Sequence, residues 1–183
     1  LIQRAYADTA MVYLYVKRRN EKELVQTFCE AIRSQIDMFI PNGIAQFTDL
    51  LRLLLEYSKQ HPFTLVLDEF QEFVHVNTDI FQDMQELWDT YHTQTHLNLI
   101  ISGSAYRLIQ NIFMDKGEQL FNRADFIIRL QPFRLPVLKQ ILQDHAPNYE
   151  PDDLLALYMI TGGVPKYLAW LLDNDCHTYQ QMY

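Results

Sequence analysis

Three short, largely apolar runs stand out along the chain, separated by stretches in which apolar positions recur every three or four residues. MVYLYV (11–16) is β-branched and aromatic, the composition of a strand. FTLVL (63–67) is a short apolar run of the kind that fits strands covered on both faces of a parallel sheet, and LNLII (97–101) reads as another buried strand. DFIIRL (125–130) reads as a fourth strand. Over 21–39, Leu24, Phe28, Ile32 and Ile36 fall four apart, which predicts an amphipathic helix closed by Pro41-Asn42-Gly43. A leucine-rich helix follows over 47–60. Residues 78–93 form the next, with Ile80, Met84, Leu87, Trp88 and Tyr91 on one face and Thr78 or Asp79 as cap. Shorter helices are expected over 105–114, 135–145, 152–160 and 166–173. The opening LIQRAYAD reads as a helix already under way.

Strands alternating with helices up to residue 131 imply a parallel α/β sheet. The rhythm changes after Pro147, and the chain is expected to divide into an α/β core (1–131) and a small helical appendage (132–183). With 49% hydrophobic residues and 21% charged, there is ample material for a packed core. No apolar run approaches the ~20 residues of a membrane span, so a membrane role is not expected. The formal charge of −8 lacks the electrostatic footprint of a protein that wraps duplex DNA unaided. Nucleic acid would enter only through a further domain. Cys29 and Cys176 stand far apart without a C-x-x-C spacing, which argues against a zinc finger or a disulfide scaffold and fits a reducing cytoplasm. His92 and His96 are spaced i, i+4, but two ligands do not make a metal site.

The strongest chemical signal is FTLVL followed at once by Asp68-Glu69. Ligands of open parallel sheets bind at the carboxyl ends of strands, and this strand delivers two carboxylates there. The first can hold a metal through its water shell and the second can polarise an attacking water. The alternative is that both simply begin a solvated loop. LNLII ends in Ser102-Gly103-Ser104, where a hydroxyl could hold the water or a terminal phosphate from the side. The alternative there is an ordinary strand-to-helix turn with Ser104 as N-cap.

Five pieces in order, LVLDEFQEF (65–73), NLIISGSAYRLI (98–109), LFNRAD (120–125), IIRLQPF (127–133) and TGGVPKYL (161–168), resemble the archaeal-type ATPase family. These are P-loop NTPases of the AAA-like branch related to signal-transduction ATPases. The resemblance implies a three-layer αβα core with a helical lid, and ATP and Mg2+ as ligands. It makes 63–69 a Walker B strand, with Asp68 on the metal, Glu69 activating water, and Ser102 or Ser104 sensing the γ-phosphate. Arg123 holds the family's arginine position, able to reach phosphate in cis or in trans, or else it pairs with Asp125 or Glu118. Gly163 and Pro165 of TGGVP match the lid motif that touches adenine, with Lys166 as a further phosphate contact. The same residues would also make a plain helix–helix turn.

The family's defining element, G-x-x-x-x-G-K-[ST], does not occur among the 183 residues, which contain only five glycines. A P-loop supplies the amides and lysine that hold the β- and γ-phosphates. The expectation is that it precedes Leu1 in a longer chain, and that the present residues alone bind ATP poorly. The expected function is ATP hydrolysis coupled to a protein partner, to self-association or to a further domain. The alternative is a non-catalytic scaffold of the same fold. A metal-dependent nuclease would want further carboxylates and a basic surface.

Overall fold

The computed structural model describes residues 2–183. The first residue of the expected opening helix, Leu1, lies outside the described residues. Helix α1 (Ile2–Ala5) leads into strand β1 (Met11–Tyr15), helices α2 (Glu21–Gln35) and α3 (Phe47–Ser58), and strand β2 (Phe63–Asp68). A 3-10 helix (Phe70–His75) and helix α4 (Asp79–Tyr91) precede strand β3 (Leu97–Ile101) and helix α5 (Tyr106–Met114). Helices α6 (Leu135–His145), α7 (Pro151–Thr161), α8 (Pro165–Asp173) and α9 (Tyr179–Met182) complete the chain. None of the described helices is long and apolar enough to cross a membrane. The chain forms two compact units, up to Phe126 and from Ile127.

In the first unit the three strands make a parallel sheet in the order β1-β2-β3. Val12 lies opposite Leu65 and Leu65 opposite Leu99; Leu14 lies opposite Leu67 and Leu67 opposite Ile101. Partners across parallel strands share a face, so these side chains line one side of the sheet. They join Leu24, Phe28 and Ile32 of α2, Leu50 and Leu54 of α3, and Ile80 and Met84 of α4 in one core. Burying each such side chain contributes about 1.5–3 kcal/mol. Helix α2 is launched by Asn20, whose Oδ1 accepts from the Lys22 amide at 3.0 Å, with Glu21 and Glu23 placed favourably in the first turn.

Two sequence expectations are corrected. The helix predicted to reach residue 39 stops at Gln35, with Ile36 extended at φ −138°, ψ 152°. Beyond it, Met38 and Ile40 are buried while Phe39 is 87% exposed, so the apolar period has switched from four to two. The Arg33 guanidinium holds the Ile40 carbonyl at 3.1 Å and draws this extended segment back onto the core. The second correction concerns 125–130, which has no regular secondary structure. Apolar composition cannot make a strand without a neighbouring backbone to pair with. Here Phe126 and Ile128 are 89% and 81% exposed.

The edges of the sheet differ. Along β1, the Gln35 side-chain amide accepts from the Tyr13 N–H at 2.8 Å and donates to its carbonyl at 3.4 Å. Among the described residues, no strand lies beside the outer edge of β3.

The second unit is held by a small core of Leu138, Leu142, Leu157 and Leu168. Helix α7 starts with Pro151 in its first turn and a reciprocal pair of caps between Glu150 and Asp153. Asp153 is buried and also accepts from the Tyr179 amide at 2.8 Å, which fixes the start of α9.

Candidate functional site

The carboxyl end of β2 places the Asp68 side chain between its two neighbours, bonded from Tyr13 of β1 and from Ser102 just after β3. The Ser102 hydroxyl donates to Asp68 Oδ1 at 2.5 Å, and the Glu69 amide donates to the same oxygen at 3.0 Å. The Tyr13 hydroxyl, reaching across from β1, donates to Oδ2. Tyr13, Asp68 and Ser102 therefore form one polar row on the face of the sheet opposite the core. Burial pushes the Asp68 carboxyl up, but the bonds from Ser102, Tyr13 and the Glu69 amide outweigh it and hold the group below its usual range. The Tyr13 phenol is pushed up to about 12, first by burial and then by its bond to the Asp68 charge.

Glu69 follows in the left-handed region, at φ 54°, ψ 41°. This costs a side chain other than glycine about 1–3 kcal/mol. The turn swings its carboxylate toward the loop after β3. There Oε2 accepts from the Ser104 hydroxyl at 2.8 Å and from the side-chain amide of Gln71. Ser104 does not cap the next helix. That place falls to Ala105, which has no side-chain bond to offer. The main chain ties the two strand ends as well, with the Phe70 amide donating to the Ser102 carbonyl at 3.0 Å.

Gln71 is buried, at 2% exposure, and its Oε1 has no hydrogen-bond partner. An orphaned buried acceptor costs about 1–3 kcal/mol. A left-handed glutamate and an orphaned amide oxygen two residues apart are two local costs at one turn, and such costs concentrate at functional sites.

Neither Tyr13 nor Gln71 was singled out by sequence reasoning. For Tyr13 a signal existed: it lies at an odd position of β1, on the face that register assigns to Asp68. For Gln71 there was only its closeness to the two carboxylates in DEFQ.

Of the remaining candidates, Arg123 belongs to the first unit and Gly163, Pro165 and Lys166 to the second. Arg123 grips Asp89 of α4 with Nε and Nη2, at 3.0 and 2.8 Å, and donates from Nη1 to the Phe121 carbonyl at 2.9 Å. Its carboxylate partner is thus Asp89 rather than Asp125 or Glu118. In the second unit, Gly162 and Gly163 have φ of 54° and 74°. A Cβ on Gly163 would meet the Phe133 carbonyl oxygen, and the Gly163 carbonyl accepts from the Phe133 amide at 2.8 Å. The close approach this glycine permits is to the chain's own backbone. Pro165 opens α8, and Lys166 is exposed beside it.

The donor set at the end of β2 can be weighed against the ligands the sequence implies. Carboxylate oxygens suit a hard cation such as Mg2+. Among the described residues, no three His, Cys, Asp or Glu side chains come together as a metal cage.

No family model matches the chain. It is 23% identical over 104 residues to an uncharacterised protein of Methanocaldococcus jannaschii, a match covering 57% of this chain and 23% of that protein. The fold is similar to that of a Walker-type ATPase of Pyrococcus abyssi, with TM-score 0.62, 13% identity, and coverage of 99% of this chain and 67% of the other. It is also similar to Cdc6p of Pyrobaculum aerophilum, with TM-score 0.55, 20% identity and 99% and 47% covered. The ORC2 protein of Aeropyrum pernix, solved in ADPNP–ADP complexes, gives TM-score 0.55, 15% identity and 99% and 53% covered. The chain thus spans about a quarter of its curated relative and about half of the last two structures. The α/β fold is that of archaeal P-loop ATPases.

Proposed function

We propose that this chain, with the fold of the archaeal P-loop ATPases, is the metal- and water-handling part of an ATPase: ATP and water give ADP and phosphate. The observation that carries the reading is the joining of Asp68 and Glu69, at the end of the central strand, to Ser102 and Ser104 at the end of the next. Asp68 would hold Mg2+ through the cation's water shell. Mg2+, when bound, would neutralise charge on the β- and γ-phosphates. Glu69 takes a proton from water, whose oxygen bonds to the γ-phosphorus as the bond to the β-phosphate oxygen breaks. Ser104 steadies the glutamate. Ser102 holds the aspartate, and its hydroxyl lies where a γ-phosphate contact is expected. The lid contacts expected of Gly163, Pro165 and Lys166 are a secondary part of the proposal, and Arg123 is not used in it. The cytoplasm is the proposed location, on the two free cysteines.

The test is hydrolysis by the product of the full reading frame, because the 183 residues hold no phosphate cradle. Glu69→Gln is expected to keep nucleotide bound and to slow turnover by about 10²–10⁴-fold, the usual worth of a general base. Asp68→Ala should weaken the Mg2+ dependence of binding. Two carboxylates that merely begin a solvated loop predict little effect of either, a non-catalytic scaffold predicts no hydrolysis by the wild type, and a Glu69→Gln variant turning over at the wild-type rate would sink the assignment.

A further inference from the structure

We infer that Gln71 is a positioning residue for Glu69, holding one carboxylate oxygen so that the other faces water. The inference rests on the ATPase reading above. A carboxylate only accepts hydrogen bonds, so the Gln71 amide must present its NH₂ end to Glu69 Oε2. That orientation turns Oε1 of the amide toward Gly103, where nothing donates to it. A leucine would fill the same buried space without an orphaned oxygen. A glutamate would set two carboxylates against each other. The amide is therefore explained by what it holds rather than by how it packs.

The surroundings fit this role. A Cβ on Gly103 would collide with Gln71 Oε1, and with Ile109 Cδ1 at 2.9 Å. The loop after β3 thus gives the amide room through a missing side chain. Ser104, in the same loop, bonds the same oxygen of Glu69. With Oε2 held by the Gln71 amide, the Ser104 hydroxyl and, at 3.5 Å, the Ser104 N–H, and no donor at Oε1 among the described residues, Oε1 is the oxygen positioned to receive the proton from water. The left-handed turn at Glu69 brings the carboxylate within reach of both donors.

Three variants of the full-reading-frame protein test the inference. Gln71→Leu removes the donor at similar volume. Gln71→Glu replaces it with an acceptor. Gly103→Ala displaces the amide without touching Glu69. Each is expected to lower kcat by about 10- to 100-fold, the scale of a misplaced catalytic group, with KM within about twofold of wild type. A purely structural role would instead move KM and kcat together, or lower Tm with kcat intact. A folded Gln71→Leu or Gln71→Glu protein with wild-type kcat overturns the inference. A measurement on the 183-residue chain needs no Gln71 variant to fold: the Gln71 side-chain NH₂ resonances should shift on Glu69→Ala, and unmoved resonances overturn it too. If Glu69→Gln itself turns over normally, the ATPase reading fails. If Glu69→Gln is inactive while Gln71→Leu is fully active, only the present inference fails.

Discussion

Leu67 and Asp68 are consecutive in β2 but belong to opposite faces of the sheet. Leu67 sits with Leu14 and Ile101 in the core. Asp68 sits with Tyr13 and Ser102 in a hydrogen-bonded row. Further back on that second face, Asn98 donates to the Thr64 hydroxyl at 3.3 Å and reaches the Tyr6 hydroxyl at 3.3 Å. Period-two alternation lets the same three strands supply one face that joins the main core and a second that ends in a hydrogen-bonded polar row. The first face contains burial with little polar to satisfy. The turn that follows β2 carries the left-handed residue and the orphaned acceptor. Within β2 the core packing of Leu67 and the polar row of Asp68 are thus divided by side-chain parity.

That division is open to direct attack. The largest expected effect is the kinetic one at Glu69, a change that should leave thermal stability nearly untouched because its carboxylate contributes nothing to the core. Leu67→Ala should do the reverse. It is expected to cost about 2–5 kcal/mol in denaturant unfolding, as a large-to-small core change does. If Leu67→Ala is mild while Asp68→Asn unfolds the protein, the division is wrong. Ser102→Ala comes next, removing one of three donors to Asp68 at a cost of about 1 kcal/mol.

The same variant has a pH signature. The folded-state carboxyl of Asp68 lies below its usual 3.8, so its contribution is present above that value and lost as pH falls through the depressed one. Ser102→Ala should move this loss to higher pH, seen as earlier acid unfolding by circular dichroism. The smallest effect is spectroscopic. With Tyr13 raised to about 12, its contribution is present in full below pH 10 and lost as pH rises through 12. Ultraviolet titration should show a late-ionising phenol that Asp68→Asn brings part of the way back toward 10, leaving the share due to burial.

Much of the site could be read before the fold was seen, because a strand ending abruptly in charge fixes where the charge goes. FTLVL allows only one end for Asp68-Glu69, and the next apolar run brings Ser102 beside it. The parts that escaped depend on contacts distant in sequence. Tyr13 meets Asp68 across 55 residues, and Arg123 meets Asp89 across 34. The switch at Ile36 escaped because isoleucine satisfies both a four-residue and a two-residue period. The run at 125–130 misled because composition reports what a strand would like to bury, not whether a partner strand is present.

The Gln35 amide on β1 mimics the N–H and C=O of an adjoining strand, so it covers that margin at Tyr13. Strand β3 has no such guard among the described residues, and in a parallel ladder every second residue, here Leu99 and Ile101, turns its main-chain groups outward. The more open margin is therefore β3. An extended segment that joined it there, from this polypeptide or another, would end beside the 102–104 loop. Growth of the sheet and access to the two carboxylates share one margin.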